Sequence, residues 1–332
     1  MPVDVVSFGE TMLRLTAPDN TRIENTPTFT IYVGGTESNT LAALARLNCT
    51  VSWLSALPDN PLGKHVESEL RSHGIDTSQV VWDTPASRLG TFYVENAPQP
   101  IGLQVYYDRA NSACALIDPE RVKYGSIDKA RMLHLTGITP ALSEQAREVF
   151  RRFLTRAQQK QIPLSFDVNY RAKLWTPEEA VQQIEDACQQ ASVLFCSYAD
   201  AAELWGFSGD AESMLRLMAQ RFGNDKNIVL TLGSKGSAHL DHGNYDHAPS
   251  FPTASNARFG SGDAFDAGYL HAYMCQPIYQ ELANNRGATG LSPLEFGNAL
   301  AALKRGIAGD IAVITPTDVK MLLQMEISKR FR

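Results

Sequence analysis

The chain has 332 residues, of which 44% are hydrophobic and 20% are charged, and its formal net charge is −6. This composition is typical of globular proteins and excludes a disordered or fibrous chain. The negative charge argues against a nucleic-acid-binding surface, which needs a dense basic patch. No apolar run approaches the roughly 20 residues that span a bilayer, and the start MPVDVVSFGE lacks the basic and apolar regions of a signal peptide. We therefore expect a cytoplasmic protein without a membrane or nucleic-acid partner.

Short runs rich in β-branched and aromatic residues alternate along the chain with helical patterns. This alternation predicts right-handed strand–helix–strand crossovers and a mostly parallel sheet with helices on both faces. Two segments, 176–179 and 292–295, place Pro at the first helical position and Glu where a capping box needs it, so each predicts a helix start. The predicted strands cover Val51–Leu57, Arg131–Gly137, Pro163–Asn169, Ser192–Ser197 and Asn227–Gly233.

Two regions, 11–32 and 86–111, depart from this alternation. Here the strand-like stretches TFTIYVGG, GTFYVEN and LQVYYDR occur without an intervening helix, a pattern typical of antiparallel strands with one wet face. We expect the two excursions to pair into a small β lid over an α/β core of residues 1–10, 33–85 and 112–332. Two independent surface hairpins are the alternative. A lid sheet would also offer an apolar face and open edges to a second copy of the chain.

The segment GSGDAFDAG at 260–268 indicates a chemical site, and the helix that it opens is predicted to continue through Met274. Glycines at a helix start leave backbone N–H groups exposed, and such groups bind phosphate oxygens. The neighbouring Asp263 carboxylate could accept a proton from a substrate hydroxyl while the N–H groups stabilise a transferring phosphoryl group. The structural alternative is that Gly260 and Gly262 turn the chain and Asp263 caps the helix. The chain has no GxxxxGK[ST] motif, and Phe265 stands where a dinucleotide-binding GxGxxG needs its last glycine.

Four motifs occur in the order that they have in one family of kinases. They are Gly9–Glu10 after a first strand, GGTESN at 34–39 opening a helix, the TLGSKG turn at 231–236 and the late GSGDAFDAG. Together they resemble the ribokinase-like, or PfkB carbohydrate kinase, superfamily over essentially the whole chain. The resemblance implies a three-layer α/β core with a central, mostly parallel sheet and a β-sheet lid. It also implies phosphorylation of a sugar that depends on ATP and Mg²⁺, and a homo-oligomer.

Two further runs, DVNYRAKLW at 167–175 and VYYDRA at 105–110, look most like those of 2-keto-3-deoxygluconate kinases. The implied product is 2-keto-3-deoxy-6-phosphogluconate. A sugar acid presents a carboxylate, and Arg109 and Arg171 in one pocket can bind it, or the incoming phosphate, bidentately; exposed loop positions are the alternative for both. Fructokinases have a related Asp-x-Asn-x-Arg run, so a neutral-sugar kinase is the rival enzyme. The rival from another class is a protein that binds nucleotide and sugar without turnover.

The resemblance assigns roles to individual residues. Asp263 resembles the general base, and Gly260, Ser261 and Gly262 resemble its anion hole. The residues that match the sugar site are Gly34, Gly35, Asn39, Tyr93, Tyr107, Arg109, Arg171 and Asp310. Those that match the site of the nucleotide and its phosphates are Asn169, Ser197, Thr231, Gly233, Ser234, Lys235, Gly236, Gly260, Gly262 and Asn298. A core role for the two tyrosines, and an ordinary helix-face amide for Asn298, are the alternatives.

The chain departs from the family at FCSYAD, 195–200, where many members carry an Asn-x-x-Glu motif that organises magnesium and phosphate. Ser197 and Asp200 stand at the Asn and Glu positions. Both keep the oxygen ligands that magnesium prefers, but their shorter reach predicts coordination through water. Glu203 is the alternative acid. The polar stretch 276–289 is predicted to be an insertion between two helices, and no role for it follows from its residues.

Overall fold

The computed structural model describes residues 3–97, 100–253, 259–285 and 290–330, with side chains as far as residue 324. Within these ranges the chain forms fourteen strands and ten α-helices. The strands are β1 (Val3–Phe8), β2 (Met12–Thr16), β3 (Thr30–Gly34), β4 (Val51–Leu54), β5 (Ala56–Pro58), β6 (Val81–Asp83), β7 (Thr91–Asn96), β8 (Leu103–Asp108), β9 (Ala130–Thr136), β10 (Leu164–Asp167), β11 (Val193–Ser197), β12 (Asn227–Thr231), β13 (Ser237–Asp241) and β14 (Asn244–Ala248). The helices are α1 (Thr36–Arg46), α2 (Pro61–Ser72), α3 (Glu144–Lys160), α4 (Pro177–Gln190), α5 (Tyr198–Trp205), α6 (Ala211–Phe222), α7 (Ser261–Tyr273), α8 (Pro277–Asn285), α9 (Pro293–Arg305) and α10 (Pro316–Arg330).

The central sheet has eight described strands in the order β14-β13-β12-β11-β10-β9-β1-β4. The six strands from β12 to β4 are parallel, and the β13–β14 hairpin adds an antiparallel edge. The predicted mostly parallel central sheet is therefore confirmed. The carboxyl ends of the parallel strands all lie at one edge of this sheet, where ligands gather in open α/β folds.

Helices cover both faces of the sheet because successive strand residues point to opposite sides. Val5 of β1 packs in a core with α1, α2, α7, α9 and α10, whereas the next residue, Val6, packs in a second core with α3, α4 and α6. Both faces are mainly apolar, as expected for a buried parallel sheet, although Ser7, His134 and Ser165 are buried polar residues on these strands. The result is a layer of helices on each side of one sheet.

The two excursions pair into one lid sheet of four described strands, in the order β3-β2-β7-β8. Each excursion is antiparallel within itself, as predicted, but they join through a parallel pair, β2 with β7. The alternative of two independent hairpins is wrong. The division of the chain at residues 11–32 and 86–111 stays a prediction, and β3 continues two residues beyond the first of these ranges.

The predicted strand boundaries differ from the observed ones where the backbone turns. Residues 51–57 form two strands, since β4 pairs with β1 in the central sheet and β5 leaves it to pair with β6. The predicted strands ending at Asn169 and Gly233 stop two residues early, at Asp167 and Thr231. Asn169 and Gly233 have φ angles of 41° and 61°, left-handed values that a strand cannot contain.

The helix predictions from capping motifs are confirmed. Thr176 and Ser292 each form a complete capping box at the start of α4 and α9. The predicted helix after Gly260 runs to Tyr273, with Met274 at its C-cap. Most of the predicted insertion is helical, because α8 covers Pro277–Asn285, and residues 286–289 lie outside the described residues. No described helix is long and apolar enough to cross a membrane.

Helices α7 and α9 approach each other closely, and this contact fixes where α7 begins. A Cβ atom on Gly268 would lie 2.9 Å from the Cα atom of Gly297, so neither position has room for a side chain. Two glycines facing each other let the two backbones approach. The first turn of α7 is thereby held beside the carboxyl ends of the central strands.

Candidate active site

Two cavities lie at the carboxyl edge of the central sheet and meet at the first turn of α7. The first, of about 490 Å³, lies between the lid and the strand ends. The second, of about 570 Å³, lies between the β12–β13 turn and α9. Thr231 and Gly262 line both cavities. A group bound in one cavity can therefore reach a group bound in the other beside Asp263, which lines the first.

The carboxylate of Asp263 is held by two side chains from the first turn of α1. The Thr36 hydroxyl donates to its Oδ1 atom at 2.7 Å, and the Asn39 amide donates to its Oδ2 atom at 2.6 Å. Thr36 and Asn39 belong to the GGTESN run, which starts α1 directly after β3. Each oxygen of Asp263 thus accepts a hydrogen bond, and its carboxylate has a fixed orientation towards the first cavity.

A chain of polar contacts continues from Thr36 to two more buried acids. The Asn169 amide donates to the Thr36 Oγ1 atom at 3.0 Å and to the Asp167 carboxylate at 2.8 Å. The Asp167 carboxyl is hydrogen-bonded in turn to Asp266, one turn after Asp263 on α7. Two carboxyl groups in contact hold one proton between them when water is excluded. Asp263 is therefore the end of an ordered network rather than an isolated acid.

Burial raises the pKa of every acid in this network. It raises the pKa of Asp263, although hydrogen bonds from Asn39 and Thr36 oppose this change. The pKa of Asp167 rises to about 7, mainly through burial, with Arg171 acting against it. Burial also raises the pKa of Asp266 well above its usual value, with Asp167 and Asp263 adding to the effect. The protonated forms of Asp167 and Asp266 reduce the negative charge of a cavity that is rich in carboxyl groups.

Glu37 is a further acid in the wall of the first cavity, and only 1% of it is exposed. Its Oε1 atom accepts hydrogen bonds from the hydroxyls of Thr136 at 2.8 Å and Thr139 at 2.6 Å. Burial nevertheless raises its pKa to about 7. A Cβ atom on Gly9 would lie 2.1 Å from the Glu37 Cδ atom, so glycine is required after β1 to leave room for this carboxyl.

Both predicted arginines line the first cavity, but their partners differ. Arg109 is paired with Glu10, and its Nε atom donates to the Glu10 Oε2 atom at 2.7 Å. Arg171 is exposed, and its Nη1 atom donates to the backbone oxygen of Tyr170 at 3.0 Å. The structure brings both guanidinium groups to one cavity. The charge of Arg109 is already balanced by a carboxylate, whereas Arg171 faces the cavity without a carboxylate partner in the described ion pairs.

Asp310 occupies the junction between the lid, the Gly34–Gly35 turn before α1 and the start of α7. Its carboxylate lies 3.0 Å from the Nη1 atom of Arg14 on lid strand β2, and burial raises its pKa to about 6. A Cβ atom on Gly34 would lie 2.6 Å from the Asp310 Cγ atom, and one on Gly260 would lie 1.9 Å from its backbone oxygen. Glycine is needed at these two positions because Asp310 packs against them.

The start of α7 has the geometry of an anion site. Gly260 is the N-cap residue, with a left-handed φ of 72° that favours glycine. The N–H groups of Gly262 and Asp263 lie in the first helical turn, where intrahelical carbonyl partners are absent. Gly262 is exposed, and its α-carbon has open space around it. Ser261, the third predicted member of the anion hole, lines the second cavity instead of the first.

The second cavity contains most of the residues that the sequence assigns to the nucleotide. Asn298 on α9 is buried there, but its amide is fully engaged: it accepts from the Ser237 hydroxyl and donates to the backbone oxygens of Ala248 and Pro249. Lys235 is exposed and lines a neighbouring cavity of about 610 Å³ together with Ser197. The predicted residues lining the second cavity are Thr231, Gly233, Ser234, Gly236 and Asn298.

The lid tyrosines lie on opposite faces of their sheet. Tyr107 lines the first cavity and stacks on Phe92, with ring centroids 5.6 Å apart. Tyr93 pairs across the strands with Leu15 and Tyr106, in the row next to that of Phe92 and Tyr107. Since neighbouring rows point to opposite faces, Tyr93 points away from the cavity, and it is not among the described residues that line it. The predicted contact of Tyr93 with a sugar is therefore inconsistent with the strand register.

The altered magnesium motif lies at the wall of the first cavity. Ser197 caps α5 by accepting from the Asp200 N–H at 3.0 Å, and Asp200 lines the cavity. Glu203 is exposed and is not among the described lining residues. In the described part of the chain no three His, Cys, Asp or Glu side chains are arranged to hold a metal ion. Asp200 alone fits a magnesium ion that is bound mainly through phosphate oxygens and water.

Several site residues were not predicted. The sequence does contain a signal for Asp266. It lies three residues after Asp263, and residues three apart on a helix share one face. Thr36 stands inside the GGTESN run, but a threonine at the start of a helix gives no sign of which distant side chain it contacts. The others depend on contacts between sequence-distant elements that no local pattern reveals. They are Glu10, Arg14, Glu37 and Asp167.

Comparison with known proteins agrees with this geometry. The profile of the pfkB family carbohydrate kinases matches residues 3–318, and the chain belongs to this family. It is 36% identical over 325 residues to a 2-dehydro-3-deoxygalactonokinase of Haloferax volcanii, covering 98% of each chain. It is 28% identical over 278 residues to a 5-dehydro-2-deoxygluconokinase of Lacticaseibacillus casei, covering 82% of this chain and 84% of the relative. The crystal structure of a 2-dehydro-3-deoxygluconokinase from Thermotoga maritima is similar with a TM-score of 0.86 and 27% identity, covering 98% of this chain and 99% of that one. The protein is thus a sugar kinase.

The raised pKa of Glu37 predicts a pH-dependent stability. The folded state binds this proton more tightly than the unfolded state, so the contribution of Glu37 is present at low pH. It is lost as the pH rises from the ordinary pKa of 4.5 towards about 7. Glutamine at position 37 has no proton to lose. Between pH 5 and 8 the free energy of unfolding of the wild type should therefore fall, relative to that of Glu37→Gln, by on the order of 2 kcal/mol. Urea unfolding across this range measures the difference.

The exposed Glu24 offers a matched control. Glu24→Gln should differ from the wild type by the same amount at each pH. A difference between Glu37→Gln and the wild type that stays constant from pH 5 to 8 would contradict the account of Glu37.

Proposed function

We propose that the chain transfers the γ-phosphate of ATP to the terminal hydroxyl of 2-keto-3-deoxygluconate, giving 2-keto-3-deoxy-6-phosphogluconate, with Asp263 as the general base. The main support is the meeting of two cavities at the first turn of α7. An acid-lined cavity with two arginines suits a hydroxylated acid, and the second cavity suits a nucleotide. The relative from Haloferax volcanii favours the C4 epimer, 2-keto-3-deoxygalactonate, as a second substrate.

The reaction needs few groups, because phosphoryl transfer depends mainly on positioning and electrostatic stabilisation. The oxygen of the terminal sugar hydroxyl attacks the γ-phosphorus atom while Asp263 accepts the hydroxyl proton. The bond between the γ-phosphorus and the bridging oxygen breaks, and ADP leaves with that oxygen. The N–H groups of the first turn of α7 stabilise the charge on the phosphoryl oxygens. Asp200 would help to hold a magnesium ion bound with ATP, and that ion would supply further charge neutralisation. The lid over the first cavity excludes water and so limits hydrolysis of ATP.

The general-base role predicts a large loss of turnover in Asp263→Asn. The amide cannot take up the hydroxyl proton, so turnover should fall by a factor on the order of 10² to 10⁴, with little change in sugar affinity. Coupled ADP release measures turnover, and calorimetry measures sugar binding.

A matched control is Asp186→Asn, because Asp186 is exposed on α4 and does not line either cavity. It should retain full turnover. Full turnover in Asp263→Asn would show that Asp263 anchors the start of α7 to α1 without acting as a base. ATP and sugar binding without ADP release by the wild type would favour a binding protein.

The arginines that line the first cavity can bind a carboxylate on the substrate. Arg171 is the better candidate for this contact, because Arg109 is already paired with Glu10. Arg109 then orients the lid strand β8 next to the substrate. The names of all three relatives above describe kinases of dehydro-deoxy sugar acids, which supports a substrate of this class over fructose.

Arg171→Met should therefore discriminate between substrates. Loss of a charged hydrogen bond to the carboxylate should lower kcat/KM for 2-keto-3-deoxygluconate on the order of 10- to 100-fold, and that for fructose much less. Lys173→Met removes a cation from the same loop and should affect both substrates equally. Equal losses for the two substrates in Arg171→Met would mean that this arginine binds phosphate or orients the loop. A wild type that prefers fructose would favour the neutral-sugar kinase.

We also infer that two copies of the chain associate through the outer face of the lid. Ile31, Leu15, Tyr93 and Tyr106 form one row across the four strands. Ile31 is 53% exposed and Tyr106 is 49% exposed, and β3 and β8 are the edge strands of the lid sheet as described. Tyr106→Glu should dissociate this homo-oligomer, as measured by sedimentation equilibrium. A wild type that is monomeric at micromolar concentration would contradict the inference.

A further inference from the structure

Lys304 is a completely buried lysine that has no role in the phosphoryl transfer proposed for this site. It lies in the last turn of α9 with 0% of its surface exposed. Its Nζ atom donates to the backbone oxygens of Ile307 and Gly309, both at 3.0 Å. Moving an ammonium group out of water is costly unless hydrogen bonds and nearby negative charge compensate for it. A buried lysine at this place therefore needs an explanation.

The side chain of Lys304 lies directly behind the anion site. Its Cε atom is 3.2 Å from the place that a Cβ atom on Gly260 would take, and Gly260 is the N-cap of α7. The same place lies 1.9 Å from the backbone oxygen of Asp310. The loop that Lys304 holds, residues 307–310, is thus packed against the residue that starts the anion site.

We propose that Lys304 is an internal cation that fixes the 307–310 loop against Gly260 and stabilises the negative charge that gathers at the first turn of α7 during phosphoryl transfer. Lys304 does not contact the substrate, so it acts as a positioning residue and through its electric field. This inference rests on the proposed function and adds a further residue to it. In the low-dielectric interior, a fixed charge behind the anion site acts more strongly than it would in water.

A second buried lysine shows what a purely structural role looks like. Lys226 is 5% exposed, and its Nζ atom donates to the backbone oxygens of Cys188 and Gln189. Those carbonyls lie in the last turn of α4, so Lys226 satisfies a helix end, as lysines often do. Lys304 binds carbonyls beyond the end of its own helix, in a loop that reaches the site. Lys226 is therefore a control for the loss of a buried, carbonyl-bound lysine.

The charges around Asp263 and Asp310 define what the loss of Lys304 would change. Lys304 lowers the pKa of both acids, acting with Arg171 on Asp263 and with Arg14 on Asp310. The neighbouring charged groups are acidic. Asp263 raises the pKa of Asp310, and it also raises the pKa of Asp167 and of Asp266 in the same cavity wall. Without Lys304 the pKa of Asp263 and of Asp310 should rise.

The test compares Lys304→Met, Lys304→Gln and Lys226→Met with the wild type. Met removes the charge and both hydrogen bonds, whereas Gln removes the charge and keeps an amide donor. We expect both Lys304 variants to lose turnover on the order of tenfold or more. The acid limb of their pH–rate profile should move to higher pH, because the base is protonated at a higher pH. Lys226→Met should lose stability but keep the turnover and the pH profile of the wild type.

A second readout separates this inference from the proposed function. The ¹³C chemical shifts of Asp carboxyl groups, followed by NMR across a pH titration, report the protonation of Asp263 and Asp310 without turnover. In the Lys304 variants these groups should titrate at higher pH than in the wild type, whether or not 2-keto-3-deoxygluconate is the substrate. A wild type that phosphorylates none of the sugars tested would contradict the proposed function alone.

Two results would overturn the inference. One is unchanged turnover, pH profile and carboxyl titration in folded Lys304→Met. The other is failure of both Lys304 variants to fold, judged by circular dichroism, because Lys304 would then serve folding and not the reaction.

Discussion

The active site depends on one contact, in which side chains of the first turn of α1 form hydrogen bonds with a carboxylate in the first turn of α7. Thr36 and Asn39 donate to the two oxygens of Asp263 at 2.7 and 2.6 Å, although they lie more than two hundred residues from it in sequence. The starts of both helices line the first cavity together with the carboxyl ends of the central strands. Close packing of α7 on α9 at Gly268 and Gly297 then sets the height of Asp263 above the strands.

The electrostatics of the first cavity follow from this arrangement. Seven acidic side chains and two arginines line it, a poor balance for a site that is proposed to accept an anionic sugar and a triphosphate. Burial resolves the conflict, because it raises the pKa of Asp167, Asp266 and Asp310 and so favours their neutral forms. Hydrogen bonds from Asn39 and Thr36 favour the ionised form of Asp263. Arg14 and Lys304 add positive charge from behind the cavity wall. The cavity is thus less negative than its composition suggests, and a divalent cation bound with the nucleotide fits the remaining charge.

Local sequence signals predicted the parts of this structure that local physics decides. The capping boxes at Thr176 and Ser292 satisfy their helix ends within four residues, so the sequence there is sufficient. The GSGD segment was likewise found because glycine at a helix start has few other uses. The alternation of strands and helices gave the sheet, since a buried parallel sheet is apolar on both faces.

Contacts between distant segments could not be predicted in this way. The face on which Tyr93 lies depends on the register of β7 against β2 and β8, and a shift of one residue would reverse it. The pairing of Arg109 with Glu10 spans 99 residues, and it changes which arginine is available to a substrate. In the sequence, Lys304 is an ordinary lysine near the end of a predicted helix. Its position behind Gly260 depends on the packing of the 307–310 loop, which no local pattern predicts.

The central claim is that Asp263 stands between a sugar hydroxyl and the phosphate of a nucleotide. A crystal structure with 2-keto-3-deoxygluconate and a non-hydrolysable ATP analogue would test it most directly. The account predicts that the terminal hydroxyl oxygen lies about 2.6–3.2 Å from an Asp263 carboxylate oxygen, with the γ-phosphate on the N–H groups of the first turn of α7. It also predicts that the substrate carboxylate faces Arg171. A sugar bound with its hydroxyl away from Asp263, or a nucleotide bound outside the second cavity, would contradict the claim.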